Sequence, residues 1–175
     1  VNYRLNLFGW LNHPALKLAD AGSDPLTPLT NSGNFATLDL IQALQLVQDH
    51  IDAFSGDPNN VIIMGQSAGA SSVFSLLVSP LAQGLFDKAV MLSPGLINQA
   101  PETSFNYSNG LLVALALQAG LATDADSAAL WLATQTPEQL RAFLYSKTSQ
   151  QLVTATQLDP RLSLTPAILR DGLVQ

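Results

Sequence analysis

From residue 35 to 54, apolar residues recur at three- and four-residue spacing: Phe35, Leu38, Ile41, Leu44, Val47, Ile51 and Phe54 share one face. That is the helical period, and Asp39, Gln42, Gln45 and Gln48 lie largely off the stripe. Ser55-Gly56 ends the pattern with a residue that tolerates a left-handed turn. The turn residues Asp57-Pro58-Asn59-Asn60 follow, and then the apolar run Val61-Ile62-Ile63-Met64. It is β-branched at three of four positions and apolar on both faces, which predicts a short strand buried in a parallel sheet. Small and apolar residues from Ala68 through Ala70, Val73, Phe74 and Leu77 to Ser79-Pro80 predict a helix of about three turns. Lys88-Ala89-Val90-Met91-Leu92 reads as the next buried strand.

Helix, strand, helix, strand is the alternation of a mostly parallel sheet flanked by helices. Residues 1–8 are β-prone, and Val1-Asn2-Tyr3-Arg4-Leu5 reads as the end of a strand, which implies chain upstream of Val1. Residues 12–34 form a loop broken by Pro14, Pro25 and Pro28. From Tyr107 to Leu158 the chain is nearly all helical, with Thr136 as a cap and Pro137 at the first helical position. The expectation is a partial α/β domain over 1–175, with a sheet core at 1–96 and a mainly helical excursion at 97–175.

Composition sharpens this reading. With 47% hydrophobic and only 11% charged residues, the chain is more apolar than an ordinary domain, as expected of a piece buried within a larger globule. A net charge of −6 with scattered Lys and Arg argues against nucleic acid as a partner, since no basic cluster exists to release phosphate counterions. No run of 18 apolar residues predicts a transmembrane helix. The absence of cysteine excludes disulfides and thiolate metal sites within this stretch.

Gly65-Gln66-Ser67-Ala68-Gly69 falls between the predicted strand and the predicted helix, and that placement gives the pattern its meaning. A nucleophilic serine must project its hydroxyl from a tight strand-to-helix turn in a strained conformation. Gly65 and Gly69 leave room for the helix to cross close to neighbouring backbone. The Ala68 N–H, at the helix start, points to where the oxyanion forms when Ser67 attacks a carbonyl.

Residues 2–96 resemble the type-B carboxylesterases, the family of the cholinesterases and bacterial carboxylesterases. Its serine signature appears as Phe54-Ser55-Gly56, residues 57–60, the strand 61–64 and Gly65-Gln66-Ser67-Ala68-Gly69. Flanking similarities are Asn2-Tyr3-Arg4-Leu5, Gly33-Asn34, Leu38-Asp39, Ser79-Pro80-Leu81 with Gly84-Leu85-Phe86, and later Asp171-Gly172. Ser55 stands where the family has Gly or Arg, and Gln66 where Glu commonly precedes the nucleophile. The resemblance implies an incomplete α/β-hydrolase fold and a small-molecule carboxylic ester as substrate, with no metal or cofactor. It implies Ser67 as nucleophile and Ala68 N–H as oxyanion donor. Ser93 matches a family serine near the triad acid, for which a supporting hydrogen bond and a structural place at a strand end are both open.

The family's order is Ser, then Asp or Glu, then His. Both histidines, His13 and His50, precede Ser67, and each reads as a packing or surface residue. The triad acid falls beyond the Asp-Gly landmark, so none of Asp87, Glu102, Asp124, Asp126, Glu138, Asp159 and Asp171 is assigned. This chain is therefore expected to supply the nucleophile without its base or acid. The alternatives are a catalytically silent adhesion scaffold, whose members typically lack the serine that is present here, and another acyl hydrolase such as a thioesterase.

Overall fold

The computed structural model describes residues 1–18, 27–95, 100–158, 168 and 170–174. A single turn, α1 (Thr27–Thr30), precedes α2 (Phe35–His50), β1 (Ile62–Gln66), α3 (Ala68–Val78) and β2 (Lys88–Leu92). Four helices follow: α4 (Pro101–Gln118), α5 (Ala125–Ala133), α6 (Pro137–Tyr145) and α7 (Ser149–Leu158). No helix among the described residues is long and apolar enough to cross a membrane.

β1 and β2 pair in parallel from Ile62↔Lys88 to Gln66↔Leu92, with α3 as the connection packed on both. The strand predicted at 61–64 therefore runs two residues further, into the serine motif. Ile41 and Leu44 of α2, Ile63 of β1, and Val73 and Leu76 of α3 form the core on one side of the sheet. Each fully buried side chain of this kind stabilises by about 1.5–3 kcal/mol. The opposite face is open, as expected of a piece buried within a larger globule. Met64 is 72% exposed and Leu92 50%, because among the described residues helices cover only one face.

Residues 1–5 pair with no strand among the described residues, and a 3-10 turn at Asn6–Phe8 follows directly. Arg4 instead grips α2. Its Nε donates to Asp39 Oδ2 at 2.9 Å, its Nη2 to Oδ1 at 2.6 Å, and its guanidinium stacks over Phe35. The helical stripe ends earlier than expected: Ile51–Phe54 is a 3-10 turn, whose tighter winding swings Phe54 off the buried face to 80% exposure. The left-handed residue there is Ser55 at φ 64°, not Gly56.

The helical half begins at Pro101, earlier than Tyr107, and has its own core. Leu111, Leu112 and Leu115 of α4 pack with Leu132 of α5 and with Leu140 and Leu144 of α6. Thr136 caps α6 as its sequence predicts: Thr136 Oγ1 accepts from Gln139 N, and Gln139 Oε1 accepts from Thr136 N. Asp124 and Ser127 make the same reciprocal box at α5.

The loop at 12–18 docks on the helices of the second half. Ala15 joins the helical core, Arg141 donates to the carbonyls of Ala15 and Lys17, and Ser108 donates to that of Asn12. In the other direction Val174, near the end of the chain, is buried with Ile41 and Ile63. Asp171 holds that end in place: its Oδ2 accepts from Asn34 Nδ2 at 3.1 Å, and its Oδ1 accepts from Leu173 N and Val174 N.

Candidate active site

Ser67 occupies the single residue between β1 and α3, at φ 53° and ψ −118°. A side chain at that positive φ is strained, and the surrounding structure must hold it there. Two contacts do so. Ser67 N–H donates to Leu92 O at 3.0 Å, extending the β1–β2 pairing one residue past the ladder. Behind it, Gly65 lies against α3 so closely that an added Cβ would overlap the carbonyl of Gly69 and sit 2.7 Å from Ala70 N.

The two motif glycines thus divide their work differently from expectation. Gly65 must lack a side chain because the helix backbone crosses on top of it. Gly69 provides that backbone, and a Cβ on Gly69 would meet nothing within 4 Å.

Ser67 stands at the N-cap of α3, but its side chain makes no capping bond, and the residue is exposed. Its hydroxyl is therefore not committed to the helix. The first bond of α3 runs from Ser71 N to Ser67 O at 3.0 Å. Ala68 N–H lies ahead of it and has no intrahelical partner, as at any helix start. Ser67 and Ala68 are thus brought together at the positive end of a helix, with a hydroxyl and an N–H that have no partner among the described residues. Such a pair can attack a carbonyl and receive the charge that develops on its oxygen.

Ser93 lies at the end of β2, one residue past the Leu92 that accepts from Ser67, and has φ 52°. Among the described residues its hydroxyl has no hydrogen-bond partner. Neither histidine is joined to Ser67 by a hydrogen bond. His13 is buried in the docked loop, where its Nδ1 accepts from Ala15 N at 3.1 Å and its ring stacks on Phe105. That burial pushes its pKa below the ordinary value. His50 is exposed in the last turn of α2.

The hydroxyls behind the nucleophile do not stand out in the sequence. Ser71, Ser72 and Ser75 are all buried in α3. Ser71 Oγ donates to Gly95 O at 2.6 Å, and Ser72 Oγ shares a 3.3 Å hydrogen bond with the Tyr3 hydroxyl. The available signal was a set of serines inside an otherwise apolar helix, where each needs a partner. An apolar groove of about 400 Å³ borders β1, α2 and α3 and is lined by Tyr3, Leu44, Val47, Ile62 and Gly69. Ser67 is not in its lining, although Gly69 of the same motif is.

The geometry agrees with what known proteins resemble this chain. The fumonisin B1 esterase of Sphingopyxis macrogoltabida is 42% identical over 110 residues, covering 63% of this chain and 19% of that protein. The para-nitrobenzyl esterase of Bacillus subtilis is 38% identical over 120 residues, covering 69% of this chain and 22% of that protein. Among solved structures, the carboxylesterase EST55 of Geobacillus stearothermophilus superposes with a TM-score of 0.70 at 30% identity. That match takes in 99% of this chain and 32% of that one. The chain thus spans about a fifth to a third of the length of these relatives, and its architecture is an incomplete α/β-hydrolase fold. The family model described as the Carboxylesterase family matches residues 1–171, and the chain belongs to that family.

Proposed function

We propose that this chain carries the nucleophile of a serine hydrolase that cleaves small-molecule carboxylic esters. The observation that carries the reading is Ser67 itself. It is an exposed, uncommitted hydroxyl at φ 53° between a parallel strand and a helix, held there by Gly65 and Leu92. Strain of this kind persists where the surrounding structure over-determines it and function uses it.

In the proposed reaction Ser67 Oγ attacks the ester carbonyl carbon and loses its proton to a general base. The carbonyl oxygen becomes an oxyanion facing Ala68 N–H, the tetrahedral centre collapses, and the alcohol leaves with a proton. Water then attacks the acyl-serine by the same steps, releasing the carboxylic acid and restoring Ser67. Ser93, beside the elbow, belongs to the wall of this site as a supporting residue.

The base is not either histidine of this chain, since His13 Nδ1 is occupied as a cap and both precede Ser67. The complete enzyme is then a longer polypeptide whose remainder brings the base, its acid partner and the other oxyanion donors. The 19–32% coverage of its relatives' lengths supports this. The 175 residues alone are expected to hydrolyse an activated ester at the background rate, unchanged by Ser67→Ala. The full-length polypeptide should turn over in a Ser67-dependent way. Ser67-dependent turnover by the isolated chain would contradict the missing base, and a folded but inactive full-length protein would favour a silent scaffold.

A further inference from the structure

Three buried hydroxyls lie in the first two turns of α3, and they do different things. Ser75 Oγ donates to Ser72 O at 2.8 Å, within its own helix. Ser72 Oγ reaches Ala68 O at 3.2 Å and the Tyr3 hydroxyl. Ser71 Oγ reaches past the end of β2. A hydroxyl has one proton to donate, and Gly95 O at 2.6 Å takes it in preference to Ser67 O at 3.4 Å.

What Ser71 fastens is a turn that needs fastening. The chain leaves β2 through Ser93 at φ 52°, a left-handed conformation costly for any residue with a Cβ. Pro94 follows with its φ fixed by the ring. At the same edge, one strand over, the chain leaves β1 through Ser67 at φ 53°. Gln66 pairs with Leu92, and Ser67 N–H donates to Leu92 O, so the two strained exits stand side by side. In open α/β sheets ligands bind outside the carboxyl ends of the strands, which is where both exits lie.

Resting on the hydrolase reading, we infer that Ser71 is a positioning residue for the reaction. Its hydroxyl ties Gly95 O to the helix that carries Ser67, and so fixes residues 93–95 as a wall beside the reacting hydroxyl. Ser71 touches no substrate. It sets the distance between the nucleophile's helix and the turn facing it, one helical turn below the chemistry. Removing the hydroxyl takes away the bond that ties Gly95 O to α3 and leaves Ser93 to relax from its left-handed conformation.

The test uses the full-length protein with a fluorophosphonate that alkylphosphonylates the active serine. Ser71→Ala keeps the helix, since alanine is the better helix former. It is expected to lower the limiting rate of Ser67 labelling about tenfold while the half-saturating probe concentration stays within about twofold. Ser71→Thr, which retains the hydroxyl, is expected to recover most of that rate. Amide exchange in the peptide spanning 92–95 should quicken in Ser71→Ala and not in Ser71→Thr. A Ser71→Ala protein labelled at the unsubstituted rate would overturn the inference, as would unchanged exchange at 92–95. If the unsubstituted protein is not labelled at all, the hydrolase reading fails separately. Exchange then decides the clasp alone: faster exchange supports it and unchanged exchange overturns it.

Discussion

Gly65→Ala tests how the elbow is built. An added Cβ would overlap the backbone carbonyl of Gly69 and lie 2.7 Å from Ala70 N, where ordinary contact begins at 3.4 Å. These are backbone atoms of a helix, so no side chain can rotate away. Relief comes only if α3 withdraws from β1, by about 1 Å, taking Ser67 and Ala68 with it. Two costs follow, and they differ in scale. Overpacking of this kind destabilises by about 1–3 kcal/mol, a fraction of the roughly 5–15 kcal/mol that holds a typical domain folded. A displacement of about 1 Å at a reacting group costs on the order of 100-fold in rate. The variant should therefore fold and react slowly. In the full-length protein the assay is the pseudo-first-order rate of fluorophosphonate labelling, with urea denaturation run in parallel. Labelling within about threefold of the unsubstituted rate, at an unchanged urea midpoint, would refute the reasoning.

Other expectations follow from strain, charge and pH. Ser67→Gly removes the strained side chain, so the protein should gain about 1 kcal/mol in urea denaturation while losing all labelling. Ser55→Gly should give a similar gain with labelling unaffected, because Ser55 holds φ 64° at the end of the 3-10 turn, away from the elbow. Arg4→Lys should cost about 0.5–1 kcal/mol in the same measurement, since lysine cannot reproduce the two-pronged contact with Asp39 or the stacking on Phe35. His13 is held neutral by burial, with its folded pKa below the ordinary 6.5. The unfolded chain then binds the proton more readily, so this contribution to stability is full above about pH 6.5. It erodes as pH falls from there through the depressed folded value. Urea midpoints at about pH 7.5 and 5.5 should differ in the unsubstituted protein, and the difference should shrink in His13→Asn, which keeps an acceptor for Ala15 N without titrating. The Asp39 carboxyl, held below its usual range by Arg4, loses its contribution only below about pH 4, outside that window.

The features readable from sequence are those fixed by near neighbours. The stripe from Phe35 to Ile51, the cap at Thr136 and the strand before Ser67 each depend on residues a few positions apart. Gly33-Asn34 and Asp171-Gly172 are recognisable as motifs, but only the fold shows Asn34 donating to Asp171. What sequence misses depends on distant partners. Residues 1–5 have strand composition, yet a strand exists only with a ladder beside it, and here Arg4 binds Asp39 instead. Ile62 and Met64 are apolar enough for a sheet buried on both faces, and among the described residues nothing lies opposite them. Gly65 and Gly69 look equivalent in the motif, and only the crossing of α3 separates the glycine that must stay bare from the one that supplies backbone. At the elbow, the serine's position was legible because strand, glycine and helix are contiguous. Its support by Leu92 and Ser71 was not, since those bonds join separate segments.

On the proposed reading, Ser67 is an activated nucleophile in the complete protein. The most direct test is to treat the full-length polypeptide with a fluorophosphonate and map the adduct by peptide mass spectrometry. A single stoichiometric adduct on Ser67, abolished by prior denaturation, is expected. A well-folded protein with no adduct there would contradict that reading.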